Sequence, residues 1–458
     1  MARSTIFRAR PALDPAIWKP LLRAYALAYL YSAGPRAVNV VIASWRKDSR
    51  TKPSSSLLQI LRKAVGLNQF PAFCGALIGG FTILQIPLGR LLSILQHSLN
   101  RSRTRFIPSQ QKRFVAFVSA LLAAWYGFSL LNADQDLDRG RENGGNGPAV
   151  DSDDRRRSCS QSPSSQKAHR GDPSLAGKTM DLTLFTVTRA VDIVVGELWS
   201  RRKSRRTAAG KWTRLESFVG NMVDAGVFAL SASIVMWSWF YRPDRLPRSY
   251  NKWIREAAQV DDRLLEALRR ARRGEFVYGK DTGQAPMLQS MCKEYQWPLD
   301  WGDPSKVIPI PCEMVHMGVG PSCEKHAASR FTKAFKFAMA TYLPLNLIVR
   351  GRSPSVKAFQ QALTDSIRSS AFLGTFICLF YYSVCLSRTR LGPKLFSPSV
   401  ISPQMWDSGL DVGAGCTMCG WSILIEAPQR RPEVAFFVAP RAAATFFPRR
   451  YNREVGLI

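Results

Sequence analysis

Four side chains that can bind a metal ion lie within fifteen residues of this sequence. They are Cys312, His316, Cys323 and His326, in the stretch PCEMVHMGVGPSCEKH. Thiolate and imidazole groups together are typical ligands of zinc in a tetrahedral site. The C-x3-H and C-x2-H spacings match no common zinc module, so three interpretations stay open. They are a metal site, a disulfide between Cys312 and Cys323, and a loop ordered by these side chains without metal.

The remaining cysteines give no further sign of chemistry. The total is nine, an odd number, and several lie inside apolar runs, so a disulfide framework is not expected. Cys416 and Cys419 form a C-x-x-C that opens an apolar segment, which favours packing over redox work. Glycine-rich phosphate loops, G-x-S-x-G elbows and H-E-x-x-H motifs are not found in a credible context. The sequence therefore predicts no catalytic residue and a protein that is not an enzyme.

Long apolar segments must position these side chains. A helix crosses a bilayer with about 20 apolar residues, because all its backbone polar groups are satisfied internally. Four segments meet this requirement well: residues 64–89, 114–131, 217–241 and 369–387. Four weaker candidates are residues 20–43, 181–199, 337–349 and 415–447. The predicted fold is therefore an all-α, polytopic helical membrane protein.

The net charge of +31 predicts an anionic partner. The basic clusters lie beside the apolar runs, which favours lipid head groups, and no nucleic-acid-binding motif accompanies them. The expected partners are the lipid bilayer and its anionic lipids, with a second copy or another membrane protein as a further candidate. Nucleic acid is not an expected partner.

An internal repeat indicates that the helices form two related units. Residues 181–190 and 433–442 share an acid, apolar residues, a phenylalanine and an Arg-Ala pair at identical spacing. Four charged residues, Arg189, Asp192, Asp224 and Arg441, then fall near membrane depth, where a charge is costly unless paired or hydrated. The alternative is that these side chains reach the interfaces, or that the segments lie flat on the membrane.

Two glycines, Gly75 and Gly79, stand four residues apart in one of the strong spans. This spacing lets another helix approach closely. The alternative is that both glycines are simply tolerated on a lipid-facing surface.

The chain is predicted to have five parts. They are a first helical unit (1–131), a disordered linker (132–178), the end of the first unit (179–249), a connector (250–330) with an amphipathic helix at residues 250–274 followed by the Cys/His stretch, and a second unit (331–458). The linker is predicted from its high content of Gly, Ser, Pro and mixed charge. The second unit looks truncated, and residues 396–412 look degraded as a span because two prolines and two aspartates interrupt them.

The stretch from Pro311-Cys312 through Cys323 to the Tyr-Leu-Pro-Leu that starts at Tyr342 resembles the cysteine-rich N-terminal region of the transmembrane protein 135 family. A later stretch with Glu433 and Arg441 resembles a second signature of that family. Cys312, His316 and Cys323 match the family pattern and are retained as metal candidates. His326 does not map to that pattern, which counts against a four-ligand zinc site. No cofactor is predicted, and zinc is the one candidate.

The resemblance implies a multi-span protein of mitochondria or peroxisomes, linked to organelle dynamics and lipid or cholesterol handling. It also implies a distant likeness to the translocase channels of the inner mitochondrial membrane. We therefore expect a non-enzymatic protein of a peroxisomal or mitochondrial membrane that supports organelle dynamics or lipid homeostasis. The alternative is a transporter or channel that uses the charged residues of the duplicated helices.

Overall fold

The computed structural model describes residues 15–45, 53–66, 69–98, 108–143, 180–350 and 355–447. Within these ranges the regular elements are helices and there is no strand, which confirms the prediction of an all-α fold. Contacts divide the chain into two compact units. One comprises residues 1–171 and 177–179, and the other comprises residues 172–176 and 180–458.

The first unit contains four described helices, α1 (Pro15–Trp45), α2 (Pro53–Ala64), α3 (Phe70–Ser98) and α4 (Pro108–Asn143). Helix α3 packs against both α1 and α4. Gly75 and Gly79 face α1, where a Cβ atom at Gly79 would lie 2.3 Å from the Leu21 side chain, and Gly80 faces Ala123 of α4. The small residues of α3 therefore lie where its two neighbours approach most closely.

The second unit contains twelve described helices. They are α5 (Met180–Ala208), α6 (Arg214–Tyr241), α7 (Arg248–Ala258), α8 (Asp262–Arg273), α9 (Ala285–Tyr295), α10 (Cys312–Val315), α11 (Cys323–Arg350), α12 (Val356–Cys385), α13 (Gly392–Leu395), α14 (Pro403–Met405), α15 (Asp411–Cys419) and α16 (Arg431–Ala444). Short 3-10 turns lie at Pro243–Arg245, Leu299–Gly302 and Gly420–Ile425, and π turns at Leu386–Arg390 and Trp406–Leu410.

Local sequence signals set several of the helix ends. Helix α6 begins with a capping box, in which the Thr213 hydroxyl accepts from the Glu216 amide while the Glu216 carboxylate accepts from the Thr213 amide. Ser355 caps α12 in the same position, and its hydroxyl accepts from the Ala358 amide. Helix α8 begins at the Asp261 cap and ends at Gly274, which adopts the left-handed conformation that glycine tolerates best.

Four helices of the described chain are long and apolar enough to cross a membrane. Their spans are Phe70–Leu95, Gln110–Leu131, Arg214–Tyr241 and Val356–Arg390. These overlap the four strong sequence candidates and confirm them as helices able to cross a membrane, although the candidate at 64–89 begins six residues before its helix at Phe70. The weaker candidates at residues 20–43, 181–199 and 337–349 are helical, but they are not among the helices that combine the length, hydropathy and low charge needed to cross a membrane. The candidate at 415–447 is divided between α15, a 3-10 turn and α16.

Two sequence predictions are wrong in their boundaries. Residues 250–274 were expected to form one amphipathic helix, but α7 ends at Ala258, because the next residue, Gln259, has a φ of 49°, and Asp261 then caps the start of α8. The linker was expected to begin at residue 132, but residues 132–143 continue α4. The rest of the linker, with Cys159 and His169, lies outside the described residues.

Residues 396–412 do not form a membrane span but a sequence of tight turns. After α13 the chain passes through α14 and a π turn whose Gly409 has a φ of 142°, a value that disfavours any residue with a side chain. This path buries both aspartates of the stretch, Asp407 and Asp411. The polar residues that made the segment look degraded are therefore part of the protein interior.

The main core of the second unit is built by α6, α12, α15 and α16. Phe240 of α6 and Phe380 of α12 stack with ring centroids 5.2 Å apart. Small residues allow α15 and the following 3-10 turn to pack closely against α6. A Cβ atom at Gly420 would lie 2.4 Å from the Ala229 Cα atom of α6. Because that atom is backbone, no rotamer change could relieve the contact.

Replacing Gly420 with alanine is therefore expected to destabilise the protein. Gly420 has an ordinary helical φ of -64°, so the effect is steric, and overpacking of this kind typically costs about 1–3 kcal/mol. Thermal unfolding of the purified protein in detergent measures it. Gly226→Ala is the matched control, because no atom lies within 4 Å of its added Cβ and alanine favours the helix. Equal melting temperatures for the two variants would contradict the prediction.

The two copies of the sequence repeat lie in α5 and α16, which pack against each other. In both copies the arginine lies over the phenylalanine four residues earlier, Arg189 over Phe185 at 5.6 Å and Arg441 over Phe437 at 3.7 Å. The compact units divide the chain differently from the predicted domains, since α5 and α6 group with residues 250–447 rather than with residues 1–131.

Candidate metal centre

A tight reversal of the chain brings three of the predicted ligands together. Helix α10 begins at Cys312, and its first turn ends at His316. The next residues turn back through positive φ values at Met317, Gly318 and Gly320, after which α11 begins at Cys323. Glycine adopts such φ values without strain, so the G-x-G of the sequence encodes this turn.

A fourth side chain, Cys385, enters the cluster from the end of α12. Helices α11 and α12 pack along each other. Near the C-terminal end of α11, Asn346 donates a hydrogen bond to Ser366 of α12. Near the N-terminal end of α11, Phe331 packs against Gly374 of α12. These contacts run in opposite directions along the two helices, so the pair is antiparallel. The last residue of α12 therefore lies beside the first residue of α11, which is Cys323.

The ligand atoms of His316, Cys323 and Cys385 all lie within 4.8 Å of one another, and all three residues are buried. The Cys312 thiol is half-buried and hydrogen-bonds with the Cys323 thiol. Burial raises the pKa of the Cys312 thiol, and the nearby Arg388 guanidinium opposes that rise. One imidazole and three thiols thus share one small, desolvated space.

The imidazole of His316 is oriented as a ligand would be. Its Nδ1 atom lies 2.7 Å from the Gly320 carbonyl oxygen, to which it donates when it carries the ring proton. That tautomer leaves a lone pair on Nε2, which faces the Cys385 sulfur at 3.4 Å. Backbone carbonyls commonly hold metal-ligating histidines in this way.

His326 does not join the ligand set. Its ring stacks on the His316 ring with centroids 4.6 Å apart and meets the edge of Tyr381 at 5.0 Å. Burial, with the nearby Arg330 charge, lowers the pKa of His326 to about 3, so it is neutral at physiological pH. Neither ring nitrogen has a hydrogen-bond partner among the described atoms. His326 therefore acts as a packed aromatic ring behind His316.

A buried ion pair lies next to the cluster. Arg388, one turn beyond Cys385, donates to both carboxylate oxygens of Asp407, at 2.5 and 2.8 Å, and to the Ile310 carbonyl oxygen at 2.7 Å. Tyr278 donates to Asp407 and accepts from the Ile310 amide. Burial and the Asp407 charge raise the pKa of Tyr278 well above its usual value, so the phenol keeps its proton. These hydrogen bonds connect the segment before α10, which contains Ile310, to the end of α12.

Asp411, one turn beyond Asp407, gives the fold a pH dependence. Burial first, and then the Asp407 charge, raise its pKa to about 8. An unfolded aspartate titrates near pH 3.9, so between about pH 4 and 8 the folded chain holds a proton that the unfolded chain has released. Its contribution to stability therefore falls as pH rises through this window, by at most about 1.4 kcal/mol per pH unit.

The Asp411→Asn variant is expected to lose this part of the pH dependence, because asparagine does not titrate. Melting temperatures in detergent at pH 5, 6, 7 and 8 measure the slope. Asp244→Asn, at a carboxylate that is mostly exposed, is the control and should keep the slope of the parent protein. A parallel pH profile for Asp411→Asn and the parent would rule the explanation out.

The structure excludes one of the three sequence interpretations for the Cys/His stretch, the disulfide. Every described cysteine is a free thiol, including Cys312 and Cys323, so the disulfide interpretation is wrong. Cys416 and Cys419 are both buried in the main core. Cys385 was missed as a member of the cluster because it lies 69 residues from His316 inside an apolar run, where its spacing carries no signal.

Residues 309–450 match the family model for the N-terminal cysteine-rich region of transmembrane protein 135. The chain therefore contains a region similar to this part of the transmembrane protein 135 family. The match confirms the resemblance seen in the sequence, and it includes both the Cys/His stretch and the later segment with Glu433 and Arg441. No curated protein and no solved structure matches the chain. Of the cluster residues, Cys312, His316, Cys323 and Cys385 all lie in the matched region.

The four charges predicted near membrane depth fall into two groups. Asp192 of α5 and Asp224 of α6 lie close enough for their charges to interact, with Arg431 of α16 also near Asp224. Arg189 lies over the rings of Phe185 and Phe436. Arg441 lies over Phe437 and, at 5.5 Å, over Tyr250 of α7. The transmembrane protein 135 region therefore holds its Arg441 against aromatic rings rather than against an acid.

Proposed function

We propose that this chain is a non-enzymatic integral membrane protein of peroxisomes or mitochondria that supports organelle dynamics or lipid homeostasis. The observation that carries the proposal is the family match over residues 309–450, in a chain with four helices able to span a membrane. The organelle and the lipid role rest on what resemblance to this family implies.

The test combines localisation with loss of function. A fluorescent protein fused to the N-terminus, imaged with peroxisomal and mitochondrial markers, gives the membrane, and selective permeabilisation gives the side on which that end lies. Deleting the gene is expected to change organelle shape or the lipid composition of isolated organelles. Unchanged morphology of both organelles together with unchanged lipids would refute the proposal.

A transporter or channel is the second candidate. It is favoured by Asp192 and Asp224, two acids on neighbouring helices whose charges interact, with Asp224 inside a membrane-spanning helix. Ionisable groups within a membrane commonly line ion or substrate paths. Reconstituted protein should then move an ion or metabolite across vesicles, and Asp224→Asn should reduce that flux. Equal and background flux for both proteins would exclude this function.

Zinc is the cofactor that we propose for the cluster. Three thiols and one imidazole are a known donor set for structural zinc, and a tetrahedral zinc with bonds of about 2.0–2.3 Å would place its donors roughly 3.5–3.8 Å apart. The ligand atoms of His316, Cys323 and Cys385, all within 4.8 Å of one another, come close to that geometry, and Cys312 adjoins them through its hydrogen bond with Cys323. Cys312, His316, Cys323 and Cys385 would hold the ion, and it would cross-link the turn before α11 to the end of α12.

Elemental analysis of the purified, full-length protein tests the cofactor. A structural site is expected to be nearly full, at about one zinc per chain, because binding is coupled to folding. Purification in buffers without chelator or added metal keeps the native occupancy. A zinc content below about 0.1 per chain, with intact folding, would refute the assignment.

Anionic lipids are the proposed partners of the basic segments. The last two turns of α5 present Arg201, Arg202, Arg205 and Arg206, and Trp199 packs edge-on against Trp212 beside them. Arginines next to interfacial tryptophans are typical of the membrane surface. Replacing the four arginines with glutamine should reduce co-sedimentation of the purified protein with vesicles containing phosphatidylserine, and leave it unchanged with pure phosphatidylcholine vesicles.

A further inference from the structure

An apolar cavity of about 410 Å³ lies inside the second unit, between α6, α7, α11, α12 and α16. Among the sixteen lining residues only Tyr250, Trp253 and Tyr342 carry polar side-chain atoms. The others are aliphatic or aromatic, with the rings of Phe228 and Phe376 among them. The volume is within the range of small-molecule sites, and a space with this lining favours an apolar occupant over water.

The position of the cavity indicates which apolar molecules can reach it. Two of its walls, α6 and α12, are long and apolar enough to cross a membrane, so we expect the cavity to lie beside lipid rather than beside bulk water. Its rim includes two partly exposed aromatic residues, Trp253 and Phe437. Acyl chains are the most abundant apolar groups in such surroundings, which makes a chain entering past this rim the natural occupant.

A cation lies at the same rim. The Arg441 guanidinium is centred 3.7 Å over the ring of Phe437 and 5.5 Å over the ring of Tyr250, and both rings line the cavity. Its hydrogen bond to the Phe437 carbonyl oxygen holds it to its own helix. Within the described part of the chain no carboxylate lies within 4.0 Å of this arginine. Because arginine stays charged, an anion at this rim would gain a strong partner.

The repeat supplies an internal comparison. Arg189 occupies the equivalent position in the first copy and also lies over aromatic rings, those of Phe185 and Phe436. Neither ring lines the cavity. The two arginines therefore share sequence context and ring contacts but differ in their access to the apolar space.

We propose that this cavity binds a single-chain fatty acid, with the acyl chain inside and the carboxylate on the Arg441 guanidinium. A carboxylate matches the planar, two-pronged geometry of arginine, whereas a neutral sterol would leave the cation without a partner. The site is compatible with the lipid role proposed above but does not depend on it, since binding by the purified protein and the effect of gene deletion are measured separately.

Equilibrium binding of radiolabelled palmitate to the full-length protein in detergent tests the proposal. Saturable binding at about one molecule per chain is expected. Arg441→Gln should weaken palmitate binding about tenfold, through loss of a charge-assisted hydrogen bond, and should leave binding of uncharged methyl palmitate unchanged. Arg189→Gln is the matched control and should bind both ligands like the parent protein.

Filling the cavity gives a second readout. Ala257 lines it, and Ala257→Phe should abolish binding of palmitate and of its methyl ester alike. If Ala257→Phe does not fold, Leu373→Trp, on the α12 wall of the cavity, gives the same readout. If neither variant folds, the comparison of Arg441→Gln with Arg189→Gln still tests the proposal. Absence of saturable binding, equal losses in the two arginine variants, or equally strong competition by phosphatidylglycerol or cholesterol would each overturn the proposal.

Discussion

Replacing Cys385 with serine is expected to remove zinc from the purified protein and to lower its stability sharply. The variant keeps the side chain close to its original size but removes one of the thiolates that would complete a tetrahedral site. Because binding of a structural zinc contributes directly to folding, the melting temperature should fall, and it should no longer respond to a chelator that destabilises the parent protein. Metal analysis and thermal unfolding, each with and without chelator, measure the two effects.

The chain offers a matched control on the same helix. Cys378 lies about two turns earlier in α12 and is also a free thiol, but it is not part of the cluster. Cys378→Ser should keep both the zinc content and the chelator response of the parent. If Cys385→Ser binds as much zinc as Cys378→Ser, then Cys385 is not a ligand.

Replacing Asp407 with alanine is expected to destabilise the protein by about 3–5 kcal/mol, because it leaves the Arg388 charge buried without a partner. Both side chains are almost fully buried, at 3% and 2% exposure, and the Tyr278 hydroxyl would also lose its acceptor. Denaturant or thermal unfolding of the purified protein, compared with the parent, gives the loss. Asp300→Ala removes an exposed pair with Lys306 and should cost less than about 1 kcal/mol.

A double variant separates the ion pair from simple packing. Arg388→Met combined with Asp407→Leu removes both charges, so it should recover much of the stability lost in Asp407→Ala. If the double variant is as unstable as the single one, the loss comes from packing or from Tyr278, and the unpaired charge is not its cause.

The four helices able to cross a membrane could be predicted from the sequence because length and a low content of charged residues decide them locally. Residues 217–241 and 369–387, for example, each contain an apolar run that is long enough to span a bilayer, whatever its neighbours are. The break between α7 and α8 could not be predicted in the same way. It depends on Gln259 in a left-handed conformation, and glutamine carries no sequence signal for that.

The cluster was only partly predictable for a related reason. Cys312, His316 and Cys323 are neighbours in sequence, and the glycines between them indicate a turn. Cys385 joins them only because α11 and α12 run antiparallel, and this depends on tertiary packing. Asp407 was interpreted correctly as evidence against a membrane span. Its role in a buried ion pair could not be predicted, because its partner Arg388 lies 19 residues away and meets it only in the folded chain.

The distance in sequence between the cluster residues has a consequence for synthesis. His316 leaves the ribosome 69 residues before Cys385, and chains are made from the N-terminus. The cluster therefore stays incomplete until α12 has been made, although the turn before α11 can form from its own residues. Completion of the cluster is consequently a late step in the synthesis of these helices.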